Sequence, residues 1–152
     1  MEIALGFLIL VLLLVGIMSS AFGGRKLSAG NWAYVVTKTE ARKTVTWSDG
    51  KADAKGTWFL VYLTLINIGK QDFGIAAQDF ALADGRGVTY AADIGATPEY
   101  AGSLNLTALR VAEQHPPGVP VQTLIMFDID PATSGLSLVL LQTPDAAIRL
   151  GK

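Results

Sequence analysis

The stretch GTWFLVYLTLINIGK, Gly56 to Lys70, decides the fold. It is rich in aromatic and aliphatic residues, and Asn67-Ile68-Gly69-Lys70 ends it with turn formers, so it reads as a strand. Side chains alternate between the two faces of a strand. One phase, Phe59, Val61, Leu63 and Leu65, is expected to face a core. The other phase, Trp58, Leu60, Tyr62, Thr64 and Ile66, is almost as apolar. A sheet with one wet face carries polar residues on that side, so this strand is expected to be covered on both.

The flanking sequence is also strand-like. NWAYVVTKTE (31–40) is β-branched and aromatic, and KTVTWSDGK (43–51) ends in the tight-turn pair Asp49-Gly50. QDFALADGRGVTY (78–90) holds a second hairpin turn at Asp84-Gly85-Arg86-Gly87. VQTLIMFDID (121–130) follows Pro116-Pro117-Gly118 and stops at Pro131, and LSLVLLQT (136–143) and AAIRL (146–150) complete the set. About seven short strands at this spacing predict an all-β antiparallel sandwich. Only LTALRVAEQ (106–114) reads as a short helix.

The double-sided pattern recurs. Ile125, Phe127 and Ile129 make one face, while Leu124 and Met126 lie on the other with Gln122 and Asp128. Leu136, Leu138 and Leu140 oppose Val139 and Leu141. On one sheet, Trp58, Leu60, Tyr62, Leu124 and Met126 would form a patch larger than monomers usually expose. These five residues are the candidate protein interface. Two other readings stay open: a covering loop such as Asp93 to Ser103, or the short helix, and contact with the membrane surface. If the patch is a docking face, Tyr62→Lys spares folding and weakens assembly, whereas Leu63→Lys unfolds the domain.

Before the strands, the 22 residues from Ile3 to Gly24 carry no charge, and Arg25-Lys26 follow at once. As a helix this run spans roughly 33 Å, enough for a bilayer core. Residues 1–24 are therefore expected to be a transmembrane anchor held by Ile3, Phe7, Leu8, Leu10, Leu12, Leu14 and Ile17. A cleaved signal is the alternative. Ser19-Ser20-Ala21 supplies small residues for cleavage, but no basic residue precedes the apolar run. Residues 25–31 read as a short connector and 32–152 as the sandwich. The basic residues Arg25, Lys26, Lys38, Arg42 and Lys43 all follow the anchor, which taken alone favours a cytoplasmic domain.

Residues 25–152 hold all twelve Lys and Arg and twelve of the thirteen Asp and Glu, so their formal charge is zero. That is no footprint for nucleic acid. The absence of cysteine excludes disulfides, thiolate nucleophiles, thiolate metal sites and a lipidated cysteine.

The order of these motifs resembles a known family. The matching features are Phe59 to Lys70, the run Asp79 to Gly85, Tyr90, Pro117-Gly118, Leu124 to Asp130 and Leu136 to Leu141. Together they resemble bacterial immunoglobulin-like domains of unknown function in exported and lipid-anchored proteins, related in fold to telokin. The resemblance covers about Trp32 to Leu150. It implies an extracytoplasmic, periplasmic-side location, against the charge rule, and a binding or structural role without catalytic residues. This chain differs from lipid-anchored members in having no cysteine, and its apolar segment could replace the lipid.

Chemistry is sparse. His115, the single histidine, sits in EQHPPG (113–118) and reads as a solvated loop residue. Asp128 and Asp130 share a strand face, as acid–base or calcium pairs do, but also precede a turn. The glycines at 84–87 lack the helix and lysine of a phosphate loop. Asn105-Leu106-Thr107 is a formal glycosylation site. Trp32, Trp47 and Trp58 could form an aromatic cage or simply pack. No catalytic residue, metal site or cofactor is expected, and the chain is not expected to be an enzyme. The expected function is a membrane-anchored interaction module, an accessory subunit bracing a larger membrane complex such as an energy-transducing one. Its partners would be other membrane subunits and the bilayer. The alternative is a free-standing exported sandwich that binds a small molecule or a polymer.

Overall fold

The computed structural model describes residues 26–151. The proposed anchor residues Ile3, Phe7, Leu8, Leu10, Leu12, Leu14 and Ile17 lie outside them. Among the described residues no helix is long and apolar enough to cross a membrane.

Among the described residues there are ten strands and one α-helix. The strands are β1 (Lys26–Ala29), β2 (Trp32–Trp47), β3 (Gly50–Asn67), β4 (Phe73–Gly74), β5 (Phe80–Ala83), β6 (Thr89–Ala91), β7 (Gln114–His115), β8 (Val121–Ile129), β9 (Ser137–Leu140) and β10 (Ala147–Arg149). The helix α1 is Ala96–Ser103, and a 3-10 turn covers Ala77–Asp79. One antiparallel sheet runs β1-β2-β3-β8, a second β10-β9-β5-β6, and β4 pairs with β7. Between the two four-stranded sheets lies the main core. It takes Phe59, Val61, Leu63 and Leu65 from β3, Ile125, Phe127 and Ile129 from β8, and Leu136, Leu138 and Leu140 from β9 and the residue before it. The inward phase predicted for β3 is the one observed, and Ile125, Phe127 and Ile129 and Leu136, Leu138 and Leu140 are the faces of β8 and β9 that join it. Tyr34 meets Phe80 edge-on across the core, with ring centroids 5.9 Å apart. Burial pushes the Tyr34 hydroxyl up to about 12.

Three expectations need correction. Residues 26–29 are not a loose connector. They pair with β2, Lys26 opposite Val35 and Ala29 opposite Trp32. Second, 31–40 and 43–51 do not divide into separate strands. β2 and β3 run 16 and 18 residues and continue past the body of the sheet as a two-stranded arm, turning at Ser48-Asp49 with Trp47 opposite Gly50. A Cβ at Gly50 would lie 2.6 Å from the Trp47 indole nitrogen, so a larger residue here requires that indole to move. Third, LTALRVAEQ is not a helix. The Thr107 amide donates to the Gln122 carbonyl of β8, and the Leu109 carbonyl accepts from Ala77. Both bonds, and Ala112 at φ 68°, draw this segment along the sandwich.

The helix instead occupies part of the segment expected to be a loop, Asp93 to Ser103. Asp93 Oδ1 accepts from the Gly95 and Ala96 amides, and Pro98 sits in the first turn, where its missing N–H costs nothing. At the other end, Asn105 takes φ 58°, its amide reaches the Gly102 carbonyl, and the Leu106 amide reaches Ala101. This is the paired-bond stop that asparagine or glycine permits in the left-handed region.

Candidate functional site

The five residues predicted as an exposed interface do share one face, but that face is covered. Trp58 retains 4% exposure, and Leu60, Leu124 and Met126 retain 0%. They form a second core with Ala96, Tyr100 and Ala101 of α1, and with Val45 and Ala54 of the arm. Of the readings left open for this face, the covering segment is the one observed, and the docking face is not. The exposed-patch expectation is corrected because α1 and the arm close over the outer face like a lid. The same segment seals the open edge of β8. Thr97 Oγ1 accepts the Met126 amide at 3.1 Å, and the Asp93 amide donates to the Met126 carbonyl at 2.8 Å. An unpaired strand edge invites strand addition, and here it is occupied from within.

Tyr62 is the member left at the rim. Its hydroxyl donates to Glu40 at 3.1 Å, and Lys38 Nζ lies 5.0 Å above its ring. Burial, then the Glu40 carboxylate, pushes the Tyr62 hydroxyl up. Glu40 also takes Arg42 and Lys38 as ion partners. Burial alone would raise its carboxyl. Hydrogen bonds from Arg42 and Tyr62, with both cations, hold it below the usual range. The Tyr62 rim opens onto a groove of about 270 Å³ lined by Thr37, Leu106 and Gln122.

The arm bends at a bulge. Arg42 is opposite Trp58 and Thr44 opposite Asp53, so Lys43 stands against the four residues Ala54 to Thr57. Their polar groups are claimed by two side chains. Lys43 Nζ donates to the carbonyls of Ala54, Lys55 and Gly56 at 2.7, 3.2 and 2.9 Å. The Asp128 carboxylate accepts the amides of Lys55 and Gly56 at 2.8 and 2.9 Å. Asp128 is thus a clamp on the bulge, and Asp130 serves its own turn by accepting the Ala132 amide. The structure does not join them into an acid–base or calcium pair.

A groove of about 410 Å³ lies at the foot of the arm, lined by Trp47, Trp58, Asp53, Lys55, Asp93 and Asp128. Two of the three tryptophans therefore meet. Trp32 lies elsewhere, in the main core. Four polar side chains of this groove hold the local structure. Trp58 Nε1 donates to the Ala52 carbonyl, Asp53 accepts from Thr44, Asp93 starts the helix and Asp128 clamps the bulge. The Thr44 hydroxyl, then Lys51, holds the Asp53 carboxyl low.

His115 is not the solvated loop residue expected. It is buried on β7, edge-on to Trp32 with centroids 6.0 Å apart, and its carbonyl accepts from Asn67 Nδ2. Among the described residues no group of three His, Cys, Asp or Glu could hold a metal ion. The DGRG turn is the hairpin predicted, linking β5 to β6 with Ala83 opposite Thr89. Asp84 organises it by accepting the Arg86 and Val88 amides and the Arg86 guanidinium. Sequence reasoning missed Lys43, and it named Asp93 to Ser103 as a cover for this face only as a loop, not as the helix α1. Asp93 followed by Pro98-Glu99 was the available signal for a helix start. No local pattern marks Lys43, whose partners are backbone atoms 11 to 13 positions away.

Comparison with known proteins settles the family. Residues 23–147 match the domain of unknown function DUF4352. The chain belongs to that family. Solved structures of the same architecture include a conserved hypothetical protein from Bacillus anthracis, at TM-score 0.65 and 14% identity, covering 82% of this chain and 91% of that one. A putative lipoprotein, ycdA of Bacillus subtilis, matches at TM-score 0.57 and 12% identity over 84% of this chain and 38% of its own. The secreted protein MPT63 of Mycobacterium tuberculosis matches at TM-score 0.55 and 13% identity, over 77% of this chain and 84% of its own. At such identities the likeness is one of fold. No curated protein matches the chain. The β-sandwich is thus a DUF4352 domain, a family that carries no assigned activity.

Proposed function

We propose that this DUF4352 protein is a non-enzymatic, membrane-tethered interaction module of immunoglobulin-like, telokin-related build. It would be displayed outside the cytoplasm and would brace other subunits of a membrane complex. The observation that carries the reading is the lack of slack between tether and body. The uncharged run ends at Gly24, and Lys26 is already paired with Val35. A body joined this tightly stays at the bilayer surface, where a second contact with a membrane partner becomes effectively intramolecular. That ycdA is described as a lipoprotein and MPT63 as secreted supports the extracytoplasmic side.

The partner surface is not the Trp58–Met126 face, which is internal. The exposed apolar residues Ile94 and Val111, 66% and 65% accessible, flank a groove of about 240 Å³ with Pro98 and Leu109. Such an exposed apolar pair, with only Gln78 and Arg110 as polar neighbours in the groove, is a natural contact for a neighbouring subunit. Mild-detergent extraction followed by co-purification tests the proposal. The native chain should bring defined membrane subunits with it, and Ile94→Glu with Val111→Glu should lose them while staying folded. A native chain recovered alone and monodisperse would contradict the brace.

A further inference from the structure

The edge of β8 is closed from within the chain, but the opposite edge of the same sheet is not. β1 pairs with β2 only from Trp32 to Val35. β2 runs on to Trp47, and among the described residues no strand lies against its free edge beyond Val35. Lys38, Ala41, Arg42, Lys43 and Thr44 are exposed there. Bulges at Val36/Lys38 and Arg42/Thr44 interrupt the ladder to β3 and leave Lys38 to Arg42 as the regular stretch between them. An open edge of this kind is a template for another strand.

The backbone has a defined sense along this stretch. The Arg42 carbonyl accepts the Thr57 hydroxyl at 3.3 Å, so it faces β3. In an antiparallel ladder successive residues turn their N–H and C=O groups to opposite edges, so Ala41 and Thr39 present theirs to the free side. Side chains choose the register. Glu40 and Arg42 share one face, opposite Leu60 and Trp58. Two copies paired antiparallel with Ala41 opposite its own counterpart place Glu40 of each against Arg42 of the other. A register with Glu40 opposite itself sets Lys38 against Arg42, like against like. One with Thr39 opposite itself restores opposite charges at Lys38 and Glu40. It also lays the second copy's arm, from Lys43 to Trp47, along the edge that β1 already occupies. In the Ala41 register only Trp47, at the arm tip, comes level with Val35. Lys38 and Arg42 pair with Glu40 within the strand, but their side chains stay 60% and 46% exposed, and such pairs are weak enough to exchange.

We infer that β2 pairs along this edge with β2 of a second copy of this chain, antiparallel about Ala41, so that the two β1-β2-β3-β8 sheets become one continuous sheet. The contact is short, so it depends on the cross-strand Glu40–Arg42 pairs and weakens as salt is raised.

The chain has no cysteine, so single reactive sites can be introduced. Residues opposed at such an axis lie roughly 5.5 Å apart at Cα, within reach of a short bismaleimide. With the full chain in mild detergent, Ala41→Cys should crosslink into dimers several-fold more than Gln71→Cys, an exposed site after β3. Adding Glu40→Arg, which sets like charges opposite each other, should cut the Ala41→Cys yield several-fold. Adding Arg42→Glu as well should restore it, which a folding defect in the single variant would not allow. Equal crosslinking at the two sites, or a native chain that stays monomeric at every concentration, overturns the pairing. So does a yield that ignores Glu40→Arg or that the double exchange does not recover. The pairing is separable from the brace. A dimer recovered without other subunits upholds the pairing and contradicts the brace, and a monomer bound to membrane subunits does the reverse.

Discussion

At the scale of single residues, the sharpest consequence is that both faces of β3 are interior. A sandwich with one wet face would tolerate changes at Leu60 and not at Leu63. Here the two are 0% and 1% exposed. Leu60→Ala and Leu63→Ala should each cost about 2–5 kcal/mol, read as a lower urea midpoint at unchanged slope. A change at Leu60 within about 0.5 kcal/mol would show that α1 does not cover it. Asp84 gives a pH signature. Burial raises its carboxyl, but bonds from the Val88 amide and from Arg86 outweigh this and hold it below its ordinary 3.8. A group held low in the folded state stabilises fully above its unfolded value, and that contribution is lost as pH falls through the folded one. Native protein should thus lose stability more steeply than Asp84→Asn between about pH 5 and about pH 2. Parallel urea-midpoint curves for the two would refute the assignment.

At the scale of elements, the bulge and the lid hold the second core together. Lys43 and Asp128 grip the same backbone segment from its carbonyl and amide sides, so neither replaces the other. Asp128→Ala should leave the Lys55 and Gly56 amides without their protein acceptor and cost about 1–3 kcal/mol. Hydrogen exchange should then accelerate first in Gly50–Gly56, before the main core responds. Uniform acceleration across the sandwich would mean that the arm is not a separable unit. Thr97→Val removes the acceptor of the Met126 amide and should cost a similar amount, with exchange rising at Met126. These elements also show what the sequence could reveal. Alternation along 58–66 and 124–129 carried both faces, since period-2 patterning is local. It left open whether Asp93–Ser103, a partner or the membrane covers the second face, because that segment has few apolar residues of its own and buries Ala96, Tyr100 and Ala101 only through tertiary contact. LTALRVAEQ has the apolar spacing of a helix, but hydrogen bonds to β8 and to Ala77 override that propensity. The five-residue site was legible as a cluster and illegible as interior, since burial depends on an element more than thirty residues from Leu60.

At the scale of the whole molecule, the excess of apolar surface divides in two. The part on the strands is accounted for internally by the lid. That removes the patch first expected to recruit a partner and leaves the smaller Ile94–Val111 groove for that role. The part in Ile3 to Gly24 lies outside the described residues, and as a helix its length would match a bilayer. The tether is the claim on which the brace depends. Intact-mass measurement of the protein recovered from alkaline-washed membranes tests it most directly. The account predicts the full 16.1 kDa chain in the membrane fraction. A soluble species about 2 kDa lighter, cut after Ser19-Ser20-Ala21, would contradict it.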